Sequence, residues 1–132
     1  GLRVDGIGWQ GHLKLSKTTG DFIEKTEEAL NDLSDLIDWA HTNDLDFHVT
    51  ELDYKVVDKS NLKDEFQTQA VIYQKIINTL QSKVKTGVVT LNLWDMGERI
   101  KQPDIYFQSI YDTNYNPTPA YNVIKNTLKN NE

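Results

Sequence analysis

The chain contains no cysteine, one methionine and three prolines in 132 residues. Without cysteine there is no disulfide, no thiolate metal site and no cysteine nucleophile, and the redox character of the compartment stays open. The three histidines stand well apart, so the usual zinc-ligand spacings are missing too. No apolar run approaches the roughly 20 residues that span a bilayer. Positive charge is scarce: 14 Lys and Arg against 20 Asp and Glu leave a net charge of −6, and the basic residues are scattered. Nucleic acids and anionic membrane surfaces call for a basic patch, so neither is an expected partner. Gly1 opens directly into sequence of folded character, and no signal peptide is expected.

What remains is one domain's worth of chain, 1–132, with 38% hydrophobic and 26% charged residues. Strand and helix patterns alternate three times. Val4-Asp5-Gly6-Ile7-Gly8 begins a strand whose glycines suggest close packing or a nearby turn. Phe22, Thr26, Ala29, Leu33, Leu36 and Ala40 then recur at helical spacing. Asn43-Asp44 marks a turn, and 45–53 reads as a second strand. A polar connection over 55–64 leads to a helix whose stripe is Phe66, Ala70, Tyr73, Ile77 and Leu80. Gly87 stops that helix. The apolar run 88–94 suggests a strand covered on both faces, as in a parallel sheet. A long polar loop follows, and Thr118-Pro119 supplies an N-cap and first-turn proline for a last helix carrying Ala120, Val123, Ile124 and Leu128. The pattern is βαβαβα. Three parallel strands leave two open sheet edges, so the chain either dimerises or belongs to something larger.

The most informative stretch is Phe47-His48-Val49-Thr50-Glu51-Leu52-Asp53-Tyr54. Strand alternation puts Glu51 and Asp53 on one face, at the end where folds of this class build their sites. Burying unpaired carboxylates is costly, so stability explains the pair poorly. Chemistry explains it better: one carboxylate acts as nucleophile while its neighbour sets the charge around it.

Four segments, taken in order, resemble glycoside hydrolase family 10. They are Val4-Asp5-Gly6-Ile7-Gly8-Trp9-Gln10-Gly11-His12-Leu13, Val49-Thr50-Glu51-Leu52-Asp53, Gln69-Ala70-Val71-Ile72-Tyr73, and the run from Tyr111 through Asn116-Pro117-Thr118-Pro119-Ala120 to Tyr121. That family holds retaining endo-β-1,4-xylanases on a (β/α)8 barrel. The resemblance implies an α/β fold covering the last three βα units of the barrel, the C-terminal portion of a catalytic domain. It places Glu51 as the catalytic nucleophile, His12 and Asp53 as the pair that supports it, and Gln10 beside the same sugar. Trp94 either walls the sugar site or fills the barrel core. The family's general acid/base glutamate follows the fourth strand in an Asn-Glu pair. Asn131-Glu132 repeats the dipeptide at a helix end and is not its counterpart, so the chain alone is expected to be inactive. No metal or organic cofactor is implied.

The implied partner is β-1,4-xylan or a xylooligosaccharide, together with the missing N-terminal part of the barrel or a second copy of the chain. Secretion of the parent protein is a further implication. The family usually continues Trp-Gly and carries a second tryptophan in an Asp-x-x-Ser-Trp context. This chain reads Trp94-Asp95-Met96-Gly97-Glu98-Arg99-Ile100 instead, which leaves the outer sugar contacts to other side chains such as Glu98 or Arg99. Trp9 and Trp39 are expected to pack, His41 and His48 to sit in the core or on the surface, and the tyrosines of 106–121 to pack the last loop on the helix layer. The acidic residues Asp21, Glu24, Glu27, Glu28, Asp32, Asp35 and Asp38 read as a solvated helix face. Two rival readings stand: a carbohydrate-binding fragment without turnover, and a flavodoxin-like domain. The latter wants a glycine-rich phosphate loop, which Gln10-Gly11-His12-Leu13 is not.

Overall fold

The computed structural model describes residues 1–16, 22–57, 62–97, 99–102 and 105–129. Among these residues six strands and three helices follow one another: β1 (Gly6–Trp9), β2 (His12–Ser16), α1 (Phe22–Thr42), β3 (Asp46–Val57), α2 (Leu62–Lys83), β4 (Val89–Leu93), β5 (Arg99–Gln102), β6 (Ile105–Gln108) and α3 (Pro119–Lys129). The 12-residue β3 is the spine. β1 and β2 run in line along one of its edges, both parallel to it. On the other edge β4 pairs with the first half of β3 in parallel, and β6 pairs with its second half antiparallel, with β5 added outside β6.

Helices α1 and α2 cover one face of this sheet. Leu33, Ile37 and Ala40 of α1 and Ile72, Tyr73, Ile76 and Leu80 of α2 meet Phe47, Val49, Leu52 and Tyr54 of β3 in one buried cluster. The α2 stripe follows the sequence pattern, with Ala70, Tyr73, Ile77 and Leu80 all buried. On α1 the buried line is Leu33, Ile37 and Ala40, while Leu36 and Trp39 are exposed, Trp39 by 54%. Among the described residues Trp39 is thus not a packing residue, against expectation. Trp9 is, at the edge of the core. Glu28, Asp32, Asp35 and Asp38 lie on the solvated face of α1 as expected, and Asp21 falls outside the described residues.

Three other differences from the sequence reading have physical causes. First, β3 runs on to Val57 because β2 and β6 both bond its far half, which turns the start of the expected polar connection into strand. Second, the expected long loop after β4 contains the β5–β6 hairpin. Each of its strands has only four residues, close to the lower limit for strands, and it owes its order to the ladder with β3. Third, Thr118 precedes Pro119 of α3 as anticipated, but its hydroxyl donates to the carbonyls of Ser109 (3.2 Å) and Ile110 (3.0 Å) and so ties the loop down without capping the helix.

The chain reversals are specific. Asp44 takes a left-handed conformation (φ 57°) after α1, and the Leu45 amide donates back to the Ala40 carbonyl at 2.9 Å, a C-terminal helix stop. Gly87 is demanded by His41, because a Cβ there would lie 2.5 Å from the imidazole. That ring sits 2.8 Å from the Thr86 hydroxyl and 3.1 Å from the Val88 carbonyl, joining the end of α1 to the start of β4. His48 meets Thr90 at 2.9 Å on the face of the sheet away from the helices. Tyr111 and Tyr121 stack at 5.3 Å and pack the last loop on the core.

Among the described residues β1 and β4 each pair with β3 alone, so both flanks end in a free parallel edge. An apolar groove of about 230 Å³ lies beside the first, lined by Trp9, Ala29, Leu33 and Leu36. A second of about 190 Å³ lies beside the other and includes Leu80, Val84, Leu91 and Leu128. Leu128, expected on the apolar face of α3, is 66% exposed at that groove's rim. No helix among the described residues is long and apolar enough to cross a membrane.

Candidate active site

The site is built on a defect in β3. Phe47 pairs with Val89 and Val49 with Leu91, but Leu52 pairs with Leu93, so three steps along β3 match two along β4. The opposite edge slips at the same place: Trp9 pairs with Val49 and His12 with Asp53, four steps against three. One extra residue in β3 reverses the parity of its side chains. Before the slip Phe47 and Val49 point into the core; after it Leu52 and Tyr54 do. Unbroken alternation would have sent Glu51 into the apolar layer with Phe47 and Val49. The bulge turns it out and keeps Asp53 beside it.

The neighbouring edge accommodates the bulge with Gly11, which adopts a left-handed φ of 79°. A Cβ there would lie 3.3 Å from the Trp9 and Val49 side chains. Across this break the Glu51 amide donates to the Gln10 carbonyl (3.0 Å) and the Asp53 amide to the Gly11 carbonyl (3.3 Å). Gln10 therefore meets Glu51 through its backbone, while its side chain is exposed.

The same geometry presents His12 to both carboxylates. Its Nδ1 lies 3.0 Å from Asp53 Oδ1, and its Nε2 lies 3.4 Å from Glu51 Oε2. The side chains become more open outward, from 7% exposed at Asp53 to 25% at Glu51 and 43% at His12. Because a carboxylate only accepts, Asp53 fixes the ring with a proton on Nδ1. A ring that also carries a proton on Nε2 sets one positive charge between two negative ones, hydrogen-bonded to Asp53 and in ion-pair range of Glu51. Trp94 follows β4, its amide donating to the Leu52 carbonyl at 3.1 Å. Its indole is half exposed and stands edge-on to the His12 ring at 6.2 Å between centroids, so it does not fill the core. Five residues named from sequence thus gather at the bulge of β3, beside the C-terminal ends of β1 and β4 and the start of β2, Gln10 by its backbone and the others by their side chains.

Beyond Trp94 the loop is fastened to the segment after β6. The Tyr111 amide donates to the Met96 carbonyl at 3.1 Å, and the Ser109 hydroxyl bonds the Asp95 carbonyl. β5 and β6 follow in the stretch where the sequence carries no second tryptophan. Glu98, like Asn131 and Glu132, lies outside the described residues. Sequence reasoning gave no place at the site to Gln69, Tyr73 and Gln108, buried behind it, although Tyr73 was expected in the α2 stripe; a buried glutamine carries no pattern that separates it from a surface one. Burial raises the Tyr73 phenol well above its usual range; the Gln69 hydrogen bond opposes this and the Asp53 charge adds to it. Burial also raises the Tyr54 phenol, with Glu65 and Tyr73 adding to the effect. No group of three or more His, Asp or Glu among the described residues could hold a metal ion.

The family model described as glycosyl hydrolase family 10 matches residues 1–127. The chain belongs to this family. It is 26% identical to endo-1,4-beta-xylanase 1 of Gibberella zeae over 98% of its own length and 36% of that protein's. It superposes on the native xylanase 10B of Thermotoga maritima with a TM-score of 0.74 and 20% identity, covering 97% of this chain and 37% of that one. Xylanase 10B of Thermotoga petrophila, solved with xylobiose, matches with a TM-score of 0.68 and 21% identity over 96% of this chain and 37% of its own. The chain therefore spans a little over a third of the relatives it matches. Its fold is a partial (β/α)8 barrel of the family 10 kind, opened at the two flanks where β1 and β4 run free.

Proposed function

We propose that this chain is the C-terminal share of a retaining endo-β-1,4-xylanase, contributing the last three βα units and the nucleophile. The observation that supports this best is the convergence of Glu51 and Asp53 on His12 at the bulge of β3. A retaining glycosidase holds two carboxyl groups about 5–5.5 Å apart, one attacking the anomeric carbon and the other protonating the leaving oxygen. In this reading Glu51 attacks. His12 stabilises its carboxylate and keeps it aimed, and Asp53 fixes the ring. The bond to the aglycone breaks as the Glu51 ester forms, and water later hydrolyses that ester. Trp94 offers an indole face and Gln10 a side-chain amide to the sugar beside Glu51. The general acid/base belongs to the complementary part of the barrel, whose strands would add to the free edges of β1 and β4 and whose helices would cover Leu36, Trp39 and Leu128.

The test is hydrolysis of an aryl β-xylobioside by the chain alone and after addition of the N-terminal five units of a related barrel. Turnover only in the mixture, lost in Glu51→Ala by on the order of 10⁴-fold or more, supports the assignment. Absence of turnover in a mixture shown to be folded, with xylooligosaccharide still bound, would leave a carbohydrate-binding fragment in its place.

A further inference from the structure

Behind the strand segment that carries Glu51 and Asp53 lies a buried polar cluster that the proposed reaction does not use. Tyr54 of β3 and Gln108 of β6 are directly paired across the antiparallel ladder. Paired residues present their side chains to the same face, here the one covered by α2. From α2, the Gln69 amide donates to the Gln108 carbonyl at 3.2 Å and also hydrogen-bonds Tyr73. Tyr54, Gln69, Tyr73 and Gln108 are all at most 1% exposed. Four of their polar atoms have no protein partner: the Tyr54 hydroxyl, Gln69 Oε1, and both Nε2 and Oε1 of Gln108.

A buried polar atom left unbonded costs about 1–3 kcal/mol. Four of them on three neighbouring residues, Tyr54 and Gln108 paired across the ladder and Gln69 bonded to Gln108, are a heavy cost if nothing else meets them. Their chemistry selects what does. Gln108 Nε2 brings two donors, the two amide oxygens accept, and the tyrosine hydroxyl does both. Glu65 of α2, 5% exposed, acts on Tyr54 through its charge and disfavours an anion, while the amide donors of Gln108 disfavour a cation. The mixture suits a small neutral molecule that gives and takes hydrogen bonds in equal measure, and a site closed to solvent by protein suits water.

We propose that Tyr54, Gln69 and Gln108 form a buried hydration site that fastens the post-bulge segment of β3 to β6 and α2, and that these three are positioning residues for Glu51 and Asp53. Leu52 and Tyr54 alternate with the two acids, so whatever holds Tyr54 from behind sets the direction in which Asp53 meets His12. The positioning role rests on reading Glu51, His12 and Asp53 as the reacting group. The hydration site itself does not.

The experiment is nuclear magnetic resonance on this chain. In the unaltered protein, the side-chain amide protons of Gln69 and Gln108 are expected to show cross-peaks to long-lived water. The His12 Nδ1 proton is expected as a separate, slowly exchanging signal held by Asp53. Tyr54→Phe removes a single hydroxyl. Gln108→Leu replaces the amide by an apolar group of similar shape. Both are expected to keep the folded amide spectrum at a lowered melting temperature, to lose the water cross-peaks and to broaden the His12 signal away. If the unaltered protein shows no water cross-peak at either amide, the hydration site is wrong. If the His12 signal survives unchanged in whichever variant folds, the positioning role is wrong. None of these signals depends on turnover, so a failure of the xylanase assay would leave them standing.

Discussion

The two halves of β3 are one strand by hydrogen bonding and two by purpose. Asp46–Val49 is regular, flanked by parallel β1 and β4, and sends Phe47 and Val49 into a fully buried layer. Thr50–Val57 begins with a bulge, exchanges β4 for antiparallel β6, and carries two carboxylates, a buried tyrosine and a polar cluster behind it. The first half spends its side chains on burial. The second tolerates polar groups in the interior and a break in the ladder, and in return it aims Glu51 out of the core. A bulge of one residue is enough to switch a strand between these roles, because side-chain direction depends only on parity.

Substitutions separate the halves. Phe47→Ala in the regular half should cost about 3–5 kcal/mol of stability, read as a large fall in the denaturation midpoint; in a refolded, complemented sample the residual activity should track the folded fraction. Asp53→Asn in the bulged half should do the reverse. Thermal stability should hold, while kcat of the complemented enzyme falls by roughly 10²-fold or more because the amide no longer dictates the His12 tautomer. An Asp53→Asn protein with undiminished kcat would remove His12 from the proposed mechanism.

Much of this division was legible in the sequence, and one step was not. Glu51 and Asp53 stood out as carboxylates at a strand end, whereas His12, Gln10 and Trp94 were singled out by the resemblance to family 10. The α2 stripe was equally plain, since Ala70, Tyr73, Ile77 and Leu80 keep one helical face. The bulge left no such mark. Alternation put Glu51 and Asp53 together correctly, but it also put them with Phe47 and Val49, and only the pairing with β1 and β4 reveals the slip. The β5–β6 hairpin was hidden for the same reason, because its order comes from a neighbour distant in sequence. Trp39 and Leu128 misled in the opposite direction: apolar residues on helices read as core, yet both are more than half exposed among the described residues.

Two smaller effects sharpen the picture of the bulge and its surroundings. Gly11→Ala places a side chain at φ 79° beside Trp9 and Val49. It should cost about 1–2 kcal/mol and weaken the His12–Asp53 contact, visible as a lower melting temperature together with reduced kcat. The mildest change lies in the loop before α3. There the amide of Asn116 bonds the Asp112 carboxylate and, against the opposing effect of desolvation and with help from the Asn116 side chain and the Asn114 amide, holds it below the usual carboxylate range. A lowered carboxylate contributes stability above its unfolded value and loses it as the pH falls through the folded one. Asp112→Asn should therefore melt slightly earlier than the unaltered chain at neutral pH, and the two melting curves should converge in acid. Curves that stay parallel down to low pH would show that the ionised group does not matter to this loop.

The free edges of β1 and β4 carry a thermodynamic consequence for the whole molecule. Any strand that docks on them binds the folded chain and has no counterpart in the unfolded one, so it adds RT ln(1 + [L]/Kd) to stability. The melting temperature then becomes a function of another segment's concentration, rising as barrel segments are titrated in. For this chain, how stable it is and what it is bound to are a single question.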